Sequence, residues 1–136
     1  MRVVIVNPVW DRAHATPEAT LARFTTLTGW ARAIRSQGAT SVTVCQRFNT
    51  NAEVVRDDVR YVFGVDRGRP SPRWSSRGGR AFYRSVVEAA PDVVHVNGLL
   101  FPEFVRGLRA ALPTRTALVV QDHGGFDPDA SSTFAR

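Results

Sequence analysis

The segment Arg2-Val3-Val4-Ile5-Val6-Asn7 is apolar at four consecutive interior positions and β-branched at each of them. A strand with one wet face alternates apolar and polar residues. A continuous run belongs to a strand covered on both faces, the situation of a parallel sheet flanked by helices. Ser41 to Gln46 reads as a second strand, Asp92-Val93-Val94-His95-Val96-Asn97-Gly98 as a buried strand leading into a turn, and Thr116 to Gln121 as the last. Helical periodicity separates them. One helix opens at Thr16-Pro17-Glu18, with Thr as N-cap and Pro at the first helical position, and carries Leu21, Phe24, Leu27, Ala31 and Ile34 on one face before stopping at Gly38. Phe82, Tyr83, Val86, Val87 and Ala90 suit a helix from Ala81 to just before Pro91. Phe101, Phe104, Val105, Leu108, Ala111 and Leu112 suit another, with Pro102 near its start and Pro113 closing it. This succession predicts an α/β fold, a Rossmann-like three-layer sandwich with a mostly parallel sheet.

At 136 residues the chain is one domain's length, 1–136, with no internal repeat. Its middle is less regular. Glu53 to Arg56 and Val59 to Val65 are strand-like pieces around Asp57-Asp58, forming either a hairpin or one interrupted strand. Residues 66–80 lose apolar periodicity, carry Gly, Pro and Ser, and hold five arginines at 67, 69, 73, 77 and 80. They read as a loop, either plainly solvated or a basic flap over an anionic substrate or membrane headgroups.

Composition excludes several chemistries. All 18 basic residues are arginine. Without lysine there is no P-loop, no Schiff-base catalysis and no receiver-type Asp/Lys phosphorylation site. Arginine-only usage is what a GC-rich genome produces, so a pI of 11.1 is not taken as a sign of nucleic acid. The single cysteine, Cys45, rules out an internal disulfide and fits a reducing, cytoplasmic setting. No apolar run near the start is long enough for a signal peptide or a membrane span. No glycine lies between the first strand and Gly29, which argues against a GxGxxG dinucleotide site, and no GxSxG elbow is present. His14, His95, His123 and Cys45 lack zinc-ligand spacing, so no metal is expected, and aromatics are not interleaved with arginines as RNA-binding surfaces require.

In a parallel sheet of this kind ligands bind outside the carboxyl ends of the strands. The positions to consider are therefore Asn7 to Asp11 (including Trp10), Arg47, Asp66 to Gly68, Asn97-Gly98, and Asp122-His123-Gly124-Gly125. His123 is the best catalytic candidate, because an imidazole at a strand end can exchange a proton with a sugar hydroxyl or a phosphate at neutral pH. The glycines beside it allow backbone N–H groups to approach a ligand, or a tight turn. His95, flanked by valines, reads as a satisfied core histidine and His14 as a loop residue.

Two segments, Pro91 to Gly98 with the helix after it and Ala117-Leu118-Val119-Val120-Gln121-Asp122-His123-Gly124, together resemble the amino-terminal domain of family 4 glycosyltransferases of the GT-B fold (glycosyl transferases group 1). The opening strand, the helix ending at Arg35-Ser36-Gln37-Gly38, and Val42-Thr43-Val44 are similar to that family's first β-α-β unit. The resemblance implies half of a GT-B fold and a retaining, metal-independent sugar transfer from a nucleotide-sugar co-substrate, with no other cofactor. It implies that His123 lies near the transferred sugar and the donor's phosphate side, that Asn97, Gly98, Gly124 and Gly125 line the cleft floor, and that the segment after Asn7, with Trp10 and Asp11, faces the acceptor; Asn7, Arg47 and Asp122 are substrate-binding candidates by their places at strand ends. Two departures stand out: residues 10–16 contain no Gly-Gly turn, and Asn97 occupies a place where the family often has histidine. The family's carboxyl-terminal domain, with its paired-glutamate motif, has no counterpart in these residues, so the chain by itself is expected to be inactive. Expected partners are the donor, an unidentified acceptor, the carboxyl-terminal domain, and a membrane surface touched peripherally, with self-association through exposed edges and no nucleic acid. The alternative is a non-catalytic α/β binding module whose basic loop takes an anionic partner.

Overall fold

The computed structural model describes residues 1–9, 13–65, 76–98 and 102–121. In chain order these form β1 (Arg2–Asn7), α1 (Pro17–Arg23), α2 (Thr25–Ser36), β2 (Ser41–Phe48), β3 (Ala52–Arg56), β4 (Val59–Val65), α3 (Ser76–Glu88), β5 (Val93–Asn97), α4 (Pro102–Ala111) and β6 (Ala117–Gln121). The six strands make one sheet in the order β3-β4-β2-β1-β5-β6. Every neighbouring pair is parallel except β3 with β4. The predicted α/β sandwich is therefore the fold.

Each face of the sheet has its own core, as the unbroken apolar runs require. On one side Val3, Ile5, Val42, Val44, Val59, Tyr61 and Phe63 pack with Leu21, Leu27 and Ala31 of α1 and α2. On the other, Val4, Val6, Cys45, Val94 and Val96 pack with Phe82 and Val86 of α3 and Phe104 and Leu108 of α4. The chain moves from β1 outward to β2 over the first face, then returns from β4 to β5 on the far side of β1 over the second. A reversal of direction that also changes face keeps one crossover hand throughout.

The structure refines four boundaries. The single helix expected from Thr16 to Gly38 is broken at Phe24 (φ −93°, ψ 58°). Thr16 caps α1 through Oγ1, which accepts from the Ala19 N–H at 3.1 Å, and Gly38 (φ 90°) follows the end of α2 as expected. The Asp57-Asp58 segment is a two-residue hairpin turn with φ of 52° and 56°, the doubly left-handed form that matches strand twist. β2 runs two residues further than expected, to Phe48. α3 begins at Ser76 and not at Ala81, so positions 76–80 of the expected loop are helical. Gly78-Gly79, poor helix formers, hid that first turn.

Close packing fixes the α3–α4 pair. The Tyr83 hydroxyl donates to the Phe104 carbonyl at 3.2 Å, and their rings lie 5.3 Å apart. Arg109 closes α4: its guanidinium donates to the carbonyls of Thr116 (2.7 Å), Leu112 (3.1 Å) and Pro113. Carbonyls left over at a helix end thus receive a charged donor. Among the described residues no helix is long and apolar enough to cross a membrane.

Candidate functional site

The place where the strand order reverses lies between β1 and β5, and there the hydrogen-bonded ladder is shorter than on either side. β1 pairs with β2 as far as Asn7↔Gln46, and β5 pairs with β6 as far as Asn97↔Gln121. Between β1 and β5 themselves, pairing stops at Val6↔Val96. The paired register of the two central strands therefore ends a residue earlier than that of the pairs flanking them, just before Asn7 and Asn97 at the carboxyl rim, where doubly wound sheets take their ligands.

The two asparagines have different roles. Asn7 is buried, and its amide nitrogen donates to Gln46 Oε1 at 2.8 Å while its Oδ1 accepts from the Val9 N–H at 3.4 Å. Gln46, fully buried, donates onward to the carbonyls of Val9 (2.7 Å) and Arg47 (2.9 Å). This pair ties the chain leaving β1 to the end of β2. Both ends of the Asn7 amide are thus engaged within the sheet. Asn97 is half-buried and stands at the rim. Gly98 follows with φ of 103°, and its N–H donates to the Gln121 carbonyl at 2.8 Å. That bond fixes the turn out of β5 against the end of β6, so Gly98 contributes a backbone shape open only to glycine at low cost, and its N–H belongs to the fold.

Arg47, expected just beyond β2, is inside it and only 4% exposed. It shares the α3 side of the sheet with Cys45 and pairs in register with Gly64. His95 is buried as expected, 8% exposed, with its ring 6.2 Å from Trp30. Trp10, Asp11, Asp122, His123, Gly124 and Gly125, and Asp66 to Gly68, lie outside the described residues. By chain order His123 comes two residues after β6 ends at Gln121.

Gln46 is the site residue that sequence reading passed over. Its signal was present: an amide in a run that is otherwise apolar or small has to find partners when the strand is buried on both faces. A second opening, about 390 Å³ and lined by Pro102, Val105, Arg106, Arg109, Leu118 and Val120, flanks α4 and β6 away from the switch point. Among the described residues no group of His, Cys, Asp and Glu could hold a metal ion. Burial pushes the Cys45 thiol up to about 12, so it is neither nucleophile nor ligand near neutral pH.

No known family model, curated protein or solved structure matches the chain.

Proposed function

We propose that this chain is the acceptor-side, amino-terminal domain of a retaining, metal-independent glycosyltransferase of the GT-B, family 4 type. The observation that supports the reading is the topological switch point between β1 and β5, whose paired register ends at Val6↔Val96, with Asn97 at the carboxyl rim and the Asn7–Gln46 pair beside it. A sugar needs directional hydrogen bonds to several hydroxyls, and a neutral amide both donates and accepts. In this reading Asn97 orients the acceptor sugar. The resemblance assigns His123, two residues after the end of β6 in the sequence, to the side of the transferred sugar.

Sugar transfer passes through an oxocarbenium-like state while a nucleoside diphosphate departs. Holding the acceptor hydroxyl in line is the larger share of what one wall of such a cleft can supply. Charge stabilisation on the departing diphosphate belongs to the facing domain.

The test is a titration of the ¹⁵N-labelled chain with mono- and disaccharides and with nucleotide sugars. Saturable shifts of the Asn97 side-chain amide and the Gly98 N–H are expected, lost in Asn97→Ala while the remaining spectrum stays folded. Shifts confined to the opposite rim, around Arg2 and Asp92, or no saturable sugar response, would overturn the proposal.

A further inference from the structure

β6 has the composition of an interior strand and the place of an outer one. Ala117-Leu118-Val119-Val120 is apolar at every position, as Val3 to Val6 of β1 are, and no charged residue lies between Thr116 and Gln121. In β1 that pattern goes with cover on both faces and a paired strand on both sides. β6 is last in the sheet order, and among the described residues no strand pairs with its outer edge. Val119 is 48% exposed, and Leu118 and Val120 line the opening of about 390 Å³ beside α4, together with Pro102 and Val105.

The opposite edge is built differently. β3 carries Glu53 and Arg56, and Glu53 is held by Arg60 of β4 at 2.7 Å. Charges on an outer strand guard against another chain adding to the sheet. One edge of this sheet has that guard and the other lacks it.

We propose that β6 pairs antiparallel with β6 of a second copy of this chain, about a two-fold axis through Val119. Open strand edges associate through main-chain hydrogen bonds, and the side chains on each face set the register. A second copy fits because a two-fold contact joins a patch to itself. Such symmetry requires one residue to stand opposite its own copy, and only Val119, the middle of the five, pairs the whole strand. Leu118 of each copy then faces Val120 of the other on the α4 side, apolar against apolar, and Ala117 faces Gln121 on the other side. The openings beside the two α4 helices adjoin across the axis. The two carboxyl rims point in opposite directions, so the contact leaves the candidate site accessible and does not draw on the sugar-transfer reading.

Size makes this a weak dimer. Five strand residues at about 3.3 Å and ten helix residues at about 1.5 Å give matched contact lengths of roughly 15–17 Å. Over one sheet layer and one helix layer, about 20 Å deep, the contact covers roughly 300–350 Å² per copy, under half of the ~800 Å² of a standard interface. Association is therefore reversible and follows concentration.

Sedimentation equilibrium of the 136-residue chain over an about hundredfold concentration range tests this, with Val119→Lys and, at the opposite edge, Val55→Lys, where Val55 is 68% exposed. Folding is checked by circular dichroism. The expected result is a monomer–dimer equilibrium without larger species, weakened at least about tenfold by Val119→Lys and unchanged by Val55→Lys. Mild oxidation of a Val119→Cys variant tests the register: Cβ atoms directly opposite lie about 4.5–5.5 Å apart, near disulfide reach, so a covalent dimer is expected. The parent, whose Cys45 is buried, and Val55→Cys should stay monomeric on a denaturing gel. Should Val119→Lys fail to fold, the cysteine comparison decides.

A chain monomeric at every concentration, association unchanged by Val119→Lys or lost equally in Val55→Lys, growth beyond a dimer, or equal cross-linking of the two cysteine variants would overturn the proposal. A monomer whose β6 amides resist hydrogen exchange would overturn it as well, by giving the edge to another part of the same chain.

Discussion

Gly107→Ala in α4 sets two effects of known sign against each other. Alanine is the better helix former, and on propensity alone the substitution stabilises an exposed helix interior by about 1 kcal/mol. At this position a Cβ would stand 2.5 Å from the Tyr83 hydroxyl oxygen, 3.0 Å from Cζ and 3.2 Å from Cε2. Tyr83 cannot swing aside freely. Its ring lies 5.3 Å from that of Phe104 at a tilt of 33°, and its hydroxyl is bonded to the Phe104 carbonyl. Relief of the overlap therefore breaks that hydrogen bond, worth about 1 kcal/mol, and pries α3 from α4, for which overpacking costs about 1–3 kcal/mol. The net expectation is a loss of about 1–3 kcal/mol, read as a lower urea midpoint at unchanged m-value. Tyr83→Phe removes the atom at 2.5 Å but leaves Cζ in place, so in that background Gly107→Ala should cost less, and the double-mutant cycle should show coupling of at least about 0.5 kcal/mol. A Gly107→Ala protein more stable than the parent, or a cycle without coupling, would show that the helices do not meet as described.

Four further outcomes follow from the same contacts. Gln46→Leu removes the acceptor of the buried Asn7 amide and the donor to the Val9 carbonyl, so a loss of about 2–4 kcal/mol is expected in chemical denaturation, and a change below about 0.5 kcal/mol, the scatter of surface substitutions, would contradict the pairing. Arg109→Leu removes a charged donor from three carbonyls, of which that of Pro113 still accepts from the Thr116 N–H at 3.0 Å, and should cost about 1–2 kcal/mol; a neutral result in the same assay would show that water replaces the guanidinium without loss. Cys45, held near 12 by burial, should react with a thiol reagent at pH 8 only as fast as the protein opens, and stoichiometric labelling of the native chain within seconds would contradict that. The Asp92 carboxyl accepts from the Arg2 N–H and guanidinium and is held below its ordinary range, so its contribution is present above about pH 4 and lost as pH falls through the lowered value; Asp92→Asn should therefore lower the thermal midpoint at about pH 7 and by progressively less as the pH is lowered, and an effect independent of pH would refute the linkage.

The layers were legible because burial on both faces leaves a strong mark. Val3 to Val6 divide between the two cores, Val3 and Ile5 to one and Val4 and Val6 to the other, which only an unbroken apolar run permits. Helix ends were legible where a dedicated residue supplies the stop or start, as with Thr16 and Gly38. Phe24 gave no such warning. Its spacing fits a continuous apolar face, and it does pack against the core, but its backbone (φ −93°, ψ 58°) ends one helix and starts another. Periodicity reports which side a residue faces and carries little about whether the backbone between two such residues is unbroken. The start of α3 was missed for the converse reason: Gly78-Gly79 disfavour a helix locally, and packing of Phe82 and Val86 on the sheet overrides them.

The site was half legible, and the missing half lies in register. From the sequence, Asn7 and Asn97 are alike: each is the polar residue that closes a buried strand. Their neighbours separate them. Asn7 lies beside Gln46, whose amide complements its own, so both are satisfied within the sheet and become scaffold. Asn97 lies beside Gln121 on one side, and on the other its ladder to β1 has already ended. Strand pairing that runs a residue longer on both flanks than at the centre is a property of several strands together, which no single segment encodes. Converting Asn7 should therefore disturb the fold, and on the proposed reading converting Asn97 should remove sugar binding. A chain in which both changes only lowered stability would refute the role proposed for Asn97.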